Sequence, residues 1–418
     1  MNTTRPRVLI LGGGFAGVGA AQKLRKANAE VVLVDRHDYH TFQPLLYQLA
    51  SGLLETTAVG HSLRDLLARH DNTTIHKANV SSIDLERRRV EFEEIEPINY
   101  DYLVFGLGAE VNFFGTAGAP AHAFPMYTLP HANHLKDHLL ERWEAADRDP
   151  RLIDDGALNV VVVGGGPTGV ETAGAIAELY SGNFAKDYPE VSSDDARVIL
   201  VEAGPELFPM FKPKLREYAD KALTKRGVEV RTATAVASVE PTRVTLKSGD
   251  TIAAHTLVWG AGLQGNPLVQ SLGLELQRGN RIAVGPDLTL PDHPEVYVVG
   301  DIAAITDAKT EQLLPQLGSV ALQSGEHAGE SIARRIAGKE PKPFKYRDKG
   351  TMATIGRGAA VVQFLGGRTM TGLKAQAAWG AVHLALLPTN EDRAKAVVDW
   401  AGAATTHQRV GRITVEAE

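Results

Sequence analysis

Apolar residues gather first in a short unbroken run at positions 8–11, which gives way to glycines at 12–14 and then to a helical rhythm reaching about residue 29. A second apolar run at 31–34 ends on Asp35. Four apolar residues between turn signals predict a buried strand. The order strand, glycine turn, helix, strand predicts a βαβ unit with its two strands parallel. The pattern returns with Gly164 in the place of Gly12, 164 − 12 = 152 residues on. There a strand at 160–163, a glycine turn at 164–169, a helix through about Tyr180 and a strand at 198–201 lead to Glu202. Two such units predict two nucleotide-binding domains of Rossmann type.

Between the units, Pro125, Pro130 and Pro150 punctuate a polar stretch with a helical pattern near 134–146. Strand-like positions resume around 276–300 and end in Val299-Gly300-Asp301. A parallel sheet can be completed by a strand far along the chain, so this one is assigned to the first domain. Beyond Pro341 and Pro343 the pattern is β-rich over 354–364 and helical at the end. The expected fold is therefore α/β, with a discontinuous first domain over residues 1–120 and 276–345 and a second inserted at 121–275. A C-terminal α+β region, 346–418, carries a terminal amphipathic helix.

Composition narrows the chemistry. Of 418 residues, 44% are hydrophobic and 22% charged, enough apolar surface to bury proper cores at about 100–200 residues per domain. The 44 basic and 50 acidic side chains leave a net charge of −6, with the basic residues scattered, which argues against a nucleic-acid partner. With no cysteine there is no disulfide, thiolate nucleophile, iron–sulfur ligand or redox dithiol, a composition that fits the cytoplasm. The fourteen histidines lack ligand spacing, so no metal is expected, and no Gly-x-Ser-x-Gly elbow supports a hydrolase. The glycines at 12–14 break the first apolar run too early for a signal peptide. The longest apolar stretch, the thirteen residues 375–387, is too short to span about 30 Å of hydrocarbon.

Gly12-Gly13-Gly14-Phe15-Ala16-Gly17 reads G-x-G-x-x-G. With 41 glycines in the chain, chance supplies about 0.4 such matches, so context decides. Here the motif follows a strand, opens a helix and is followed by Asp35, eighteen residues after Gly17. The first glycine permits the tight turn, the second lets the backbone reach a pyrophosphate, and the third lets helix and strand pack closely. The helix N-terminus favours the negative charge, and the acid accepts ribose hydroxyls. Gly164, Gly166 and Gly169 repeat the motif, with Thr168 beside the last, and Glu202 stands in the acid's place. That glutamate lies 33 residues past Gly169, beyond the usual spacing of about 20, as an insertion over 181–196 would explain. An acid there favours a free 2′-hydroxyl, hence NADH over NADPH; the alternative is a glutamate that caps a strand at the surface. A third match, Gly260-Ala261-Gly262, runs into Asn266-Pro267 and reads as a fold turn near a cofactor.

Two dinucleotide motifs and a late Gly300-Asp301 strand end resemble the two-dinucleotide-binding flavoproteins. Phe42-Gln43-Pro44-Leu45-Leu46-Tyr47-Gln48-Leu49-Ala50 is similar to the FQPLLYQVA signature of type II NADH dehydrogenases, single-subunit NADH:quinone oxidoreductases. Lys349-Gly350-Thr351-Met352-Ala353-Thr354-Ile355-Gly356-Arg357 resembles their KGxMAxIGR segment, and the similarity covers residues 5–400. The resemblance implies FAD on Gly12, Gly14, Phe15, Ala16, Gly17, Asp35, Arg36 and Pro44. Val80, Gly108 and Ala109 would line it and Asp301 would hold its ribityl chain, with Gly300 and Ser319 also on the cofactor. It implies NADH on Gly164, Gly166, Thr168, Gly169, Glu202 and Gly262. Catalytic roles would fall to Glu171 near nicotinamide and flavin, Lys349 by the flavin and quinone pocket, and Ser319 and Gln323. Glu171 also reads as helix first-turn chemistry, Lys349 as a solvated surface charge, and Asp301 as a helix cap.

Two departures stand out. Where the family has Ala-Gln-x-Ala-x-Gln, this chain has Gly318-Ser319-Val320-Ala321-Leu322-Gln323, and the shorter Ser319 hydroxyl enlarges the pocket and changes its hydrogen bonding. At the C-terminus one apolar segment around 379–387 is followed by the charged residues Glu391, Asp392 and Arg393. Trp379, Val382 and Leu386 mark one helical face, and residues 373–400 suit weak peripheral membrane contact or a homodimer. The expected activity passes two electrons from NADH through FAD to a quinone or other small acceptor, without proton pumping, in the cytoplasm or on the inner face of the cell membrane. A soluble NADH-dependent flavin reductase serving a carrier protein or a non-respiratory organic acceptor, and a slow-turnover redox-sensing interaction protein that binds FAD and NADH, are the alternatives.

Overall fold

The computed structural model describes residues 5–181 and 187–406. Residues 182–186 of the expected insertion and 407–418 of the C-terminal region lie outside the described residues. The first glycine unit is strand Arg7–Leu11, helix Phe15–Leu24 and strand Glu30–Asp35. Arg7–Leu11 is the centre of a five-stranded parallel sheet, ordered Val296–Val298, Tyr102–Phe105, Arg7–Leu11, Glu30–Asp35, Thr73–Lys77. Val8, Leu9, Ile10 and Leu11 are fully buried, the reason the strand is an unbroken apolar run instead of an alternating one. The distant strand pairs Tyr297 with Val104, and so joins this first sheet.

Helix Gly318–Ile336 packs along Phe15–Leu24. Gly325 permits the approach: a Cβ there would lie 1.9 Å from the Ala16 carbonyl oxygen. Glycine inside a helix costs roughly 0.5–1 kcal/mol against alanine, offset here by close backbone packing.

The second unit repeats the plan. Its sheet is ordered Phe124–Pro125, Thr256–Trp259, Val160–Val163, Val198–Val201, Val228–Arg231, all parallel, with helix Pro167–Tyr180 after the turn. Helix Leu129–Arg148 is longer than the pattern near 134–146 indicates. Thr128 caps it by accepting from the His131 amide, and Pro130 sits in the first turn, where its missing N–H costs nothing.

Contacts divide the described chain into two compact units. One holds Met1–Thr41, Gly60–Glu110 and Leu263–Arg347, the other Phe42–Val59, Val111–Gly262 and Asp348–Glu418. These boundaries differ from those drawn on sequence, which put 42–59 and 111–120 in the first domain and 263–275 in the second and set the C-terminal region apart. Helix Leu46–Ala50 packs on Leu129–Arg148 and Pro167–Tyr180, and strand Thr351–Gly356 also packs on Pro167–Tyr180. An apolar pattern reveals that a segment is buried, not against what.

The C-terminal region is an antiparallel sheet of Thr351–Gly356, Ala359–Gln363 and Thr369–Thr371, then helices Gly372–Leu386 and Asn390–Thr406. The expected single stripe is split. Trp379 is buried and stacks on His383 at 3.9 Å between ring centroids, whereas Val382 and Leu386 are 41% and 46% exposed. The inward face runs from Trp379 to His383, one turn on. No described helix is long and apolar enough to cross a membrane.

Candidate functional site

The two glycine turns are built by the same bonds. The Gly12 amide donates to the Val34 carbonyl at 2.8 Å and the Gly164 amide to the Val201 carbonyl at 2.9 Å. The Gly106 amide donates to Leu11 and the Gly260 amide to Val163, both at 2.9 Å. Gly12 and Gly164 take φ of +101° and +115°, which side chains strain to adopt. A Cβ on Gly17 would lie 1.8 Å from the Gly12 oxygen, and one on Gly169 1.9 Å from the Gly164 oxygen. Gly14 and Gly166 face the other way, with nothing within 4 Å of a Cβ position, and no side chain caps either helix. An open glycine beside an uncapped helix N-terminus is a cradle that fits a pyrophosphate, as FAD and NADH each require.

Asp35 and Glu202 latch these turns. One Asp35 oxygen accepts from the Gly13 amide at 2.6 Å and the other from His37 at 2.7 Å. Glu202 accepts from Gly165 and from Gly204, each at 2.5 Å. Despite its distance in sequence, Glu202 is bound to the glycine turn, and each carboxylate retains lone-pair capacity for ribose hydroxyls.

His40 escaped the sequence reading. Its Nδ1 lies 3.0 Å from the Gly13 carbonyl oxygen, which can only accept, so Nδ1 carries the hydrogen. Burial holds its pKa down to about 4, and its ring meets Phe15 edge-on at 4.9 Å. Periodicity gives no signal for such a bond.

The other first-unit candidates fall around the carboxyl ends of neighbouring strands. Gly108 takes φ +71°, Ala109 is buried, and Gly300, at φ +73°, donates its amide to Ser324 Oγ at 3.0 Å. The Asp301 carbonyl accepts from Gln316 Nε2 at 2.9 Å. Ala16 is buried, Phe15 and Val80 are half-buried, and Arg36 is exposed beyond Asp35. Pro44 belongs to the second unit, in the turn Gln43–Leu45. There too are Thr168, exposed in its helix's first turn, and Gly262, at φ +72° after strand Thr256–Trp259.

Ser319 and Gln323 are engaged with the chain that follows their helix. Ser319 Oγ pairs with the Tyr346 hydroxyl at 2.9 Å. Gln323 spends both amide ends on Arg347, donating to its carbonyl at 3.1 Å and accepting from its amide at 3.0 Å. Lys349 is exposed.

Glu171 lies on the face of helix Pro167–Tyr180 that meets strand Thr351–Gly356. Gly174, three residues on, admits the strand: a Cβ there would be 1.9 Å from the Ile355 oxygen. Glu171 Oε1 accepts from the Thr354 amide at 3.0 Å and lies 3.5 Å from its hydroxyl. Part of the side chain is accessible, yet the protein packed around the carboxyl dominates, and burial pushes its pKa up to about 8 against the two Thr354 bonds. Tyr47 joins Thr354 through a 2.8 Å bond between hydroxyls, and Gln48 Nε2 donates to Tyr47 at 2.8 Å. The motifs that serve as family markers in the sequence thus supply the partners of Glu171.

The pyridine nucleotide-disulphide oxidoreductase family matches residues 6–325. Type II NADH:quinone oxidoreductase Ndh of Mycobacterium tuberculosis is 34% identical over 427 aligned positions, covering 98% of this chain and 90% of that one. The type II NADH:quinone oxidoreductase of Staphylococcus haemolyticus is 32% identical over 386 positions, 90% and 93% of the two chains. NDH2 from Plasmodium falciparum, solved with NADH, shares the fold at a TM-score of 0.90 and 19% identity, over 99% of this chain and 100% of that one.

Proposed function

The chain belongs to the pyridine nucleotide-disulphide oxidoreductases and, among them, to the type II NADH:quinone oxidoreductases, and from that premise we propose how its residues serve the reaction. It is an FAD-dependent enzyme that moves two electrons from NADH to a quinone without pumping protons. When bound, FAD supplies the hydride and electron chemistry. The observation that carries the reading is the doubled glycine turn, latched by Asp35 in one unit and Glu202 in the other.

The first turn, with Asp35, Arg36, Gly300 and Asp301, holds FAD, and Val80, Gly108 and Ala109 line it. The second, with Thr168, Glu202 and Gly262, holds NADH. Glu171 holds an exchangeable proton beside the reaction, and Gln323 and Ser319 fix the segment that leads to Lys349 at the acceptor side. With no cysteine in the chain, no disulfide stage intervenes between cofactor and acceptor. Steady-state turnover of NADH with a soluble quinone tests the reading. Parallel double-reciprocal lines support a two-stage reaction, and absence of quinone reduction opposes it.

For location, we place the protein on the inner face of the cell membrane as a homodimer, with residues 373–400 touching lipid. Leu373, Val382, Leu386 and Val398 are 72%, 41%, 46% and 68% exposed, apolar surface of the kind that lipid covers. Sedimentation with phospholipid vesicles should carry the protein down, and Leu373→Asp with Val398→Asp should leave it in the supernatant. Equal sedimentation of both proteins contradicts lipid contact by these residues.

A further inference from the structure

The C-terminal helix reaches Glu171 through a series of hydrogen bonds whose direction can be derived. Trp400, on Asn390–Thr406, places its indole Nε1 2.7 Å from Gln48 Oε1. An indole nitrogen only donates, so it fixes the amide of Gln48 with oxygen toward Trp400 and nitrogen toward Tyr47. Gln48 Nε2 then donates to the Tyr47 oxygen at 2.8 Å, which leaves the Tyr47 hydrogen for Thr354 Oγ1, also at 2.8 Å. The Thr354 hydrogen is in turn left for Glu171 Oε1, 3.5 Å away and already bonded by the Thr354 amide at 3.0 Å. Tyr47, Gln48 and Thr354 are all buried, so water does not compete for these groups.

We propose that Trp400 and Gln48 are positioning residues that orient a one-way chain through Tyr47 and Thr354, which gives Glu171 Oε1 a second donor beside the Thr354 amide and leaves the exchangeable proton on Oε2. The proposal rests on the reading that places Glu171 beside the reaction. Without the indole donor the amide can turn over, so that Tyr47 donates to Gln48 and Thr354 to Tyr47, and Oε1 loses a donor. Losing a donor disfavours the carboxylate, so the acid titrates at higher pH. The charged and titratable neighbours do not reverse this sign. Burial raises the pKa of Tyr47, which stays a neutral phenol, and Glu178 is paired with Arg226 at 3.0 Å. His383, beside Trp379, is held neutral by burial, down to about 4.

Infrared difference titration of the flavin-loaded protein tests the chain by following the carboxylic C=O band that Glu171→Gln removes. The band should titrate near 8 in the native protein and roughly half a pH unit higher in Trp400→Phe. In a Tyr47→Phe background, Trp400→Phe should add nothing, because the chain is already cut. Thr354→Val should also raise the titration, and Thr354→Ser should restore it. An unmoved band in Trp400→Phe, or the same shift with Tyr47 absent, overturns the proposal, and the Thr354 pair tests its last link if Trp400→Phe does not fold. If the band moves as expected but the pH profile of turnover ignores Glu171→Gln, the chain stands and the placing of Glu171 beside the reaction fails.

Discussion

Replacing Gly17 by alanine yields a protein that no longer retains FAD. The new Cβ would sit 1.8 Å from the Gly12 carbonyl oxygen, a backbone atom with no side-chain freedom to yield, so helix Phe15–Leu24 and the turn must separate. Overpacking of this kind costs about 1–3 kcal/mol, concentrated where the pyrophosphate is cradled. Flavin absorbance per protein after gel filtration should fall roughly tenfold or more, as about 1.4 kcal/mol per decade requires. Gly169→Ala makes the equivalent clash, 1.9 Å from Gly164, in the other unit. That protein should remain yellow and lose reduction by NADH. Gly14→Ala has room within the protein and should fold with native stability while binding FAD more weakly. If Gly169→Ala is the colourless variant, the two sites are assigned the wrong way round.

Glu202→Ala weakens NADH about a hundredfold and leaves the flavin in place. Its carboxylate accepts from Gly165 and Gly204, both at 2.5 Å, so truncation frees two amides and releases the turn. Hydrogen bonds to charged groups contribute about 1.5–3 kcal/mol each, and water recovers part of the loss, leaving about 3 kcal/mol. The substitution also removes the negative charge that opposes a 2′-phosphate, so the preference for NADH over NADPH should narrow. The dissociation constants of NAD⁺ and NADP⁺, measured by flavin perturbation, read both effects. An unchanged constant for NAD⁺ would show that the Glu202 latch plays no part in holding the nucleotide.

Much of the scaffold was legible because its determinants are local. The turns at 12–17 and 164–169 depend on glycine spacing, strand ends and a following acid, all within one βαβ unit. Even the strand at 296–298 could be assigned, since a parallel sheet can be completed by a strand from far along the chain. The surroundings of Glu171 were not legible, because its partners converge from afar. Tyr47 and Thr354 are 307 residues apart in the chain, and Gln48 and Trp400 are 352 apart. No periodicity encodes a bond between hydroxyls at that separation. The stripe of Trp379, Val382 and Leu386 misled for a related reason: helical spacing identifies a face, but packing of Trp379 on His383 and Tyr47 decides which part of it is covered. Gln323 survives the departure at Ser319 and yet spends its amide on Arg347, a use that only the path of residues 346–347 reveals.

Quinone reduction through the flavin is tested by an anaerobic titration of the flavin-loaded protein, first with NADH and then with a soluble quinone. One equivalent of NADH per flavin should bleach the yellow colour, and quinone should restore it within the turnover time. Bleaching without recolouring by quinone would contradict quinone reduction and direct attention to a carrier protein or a sensing role, and failure of NADH to bleach the flavin would contradict the assignment of the second glycine turn.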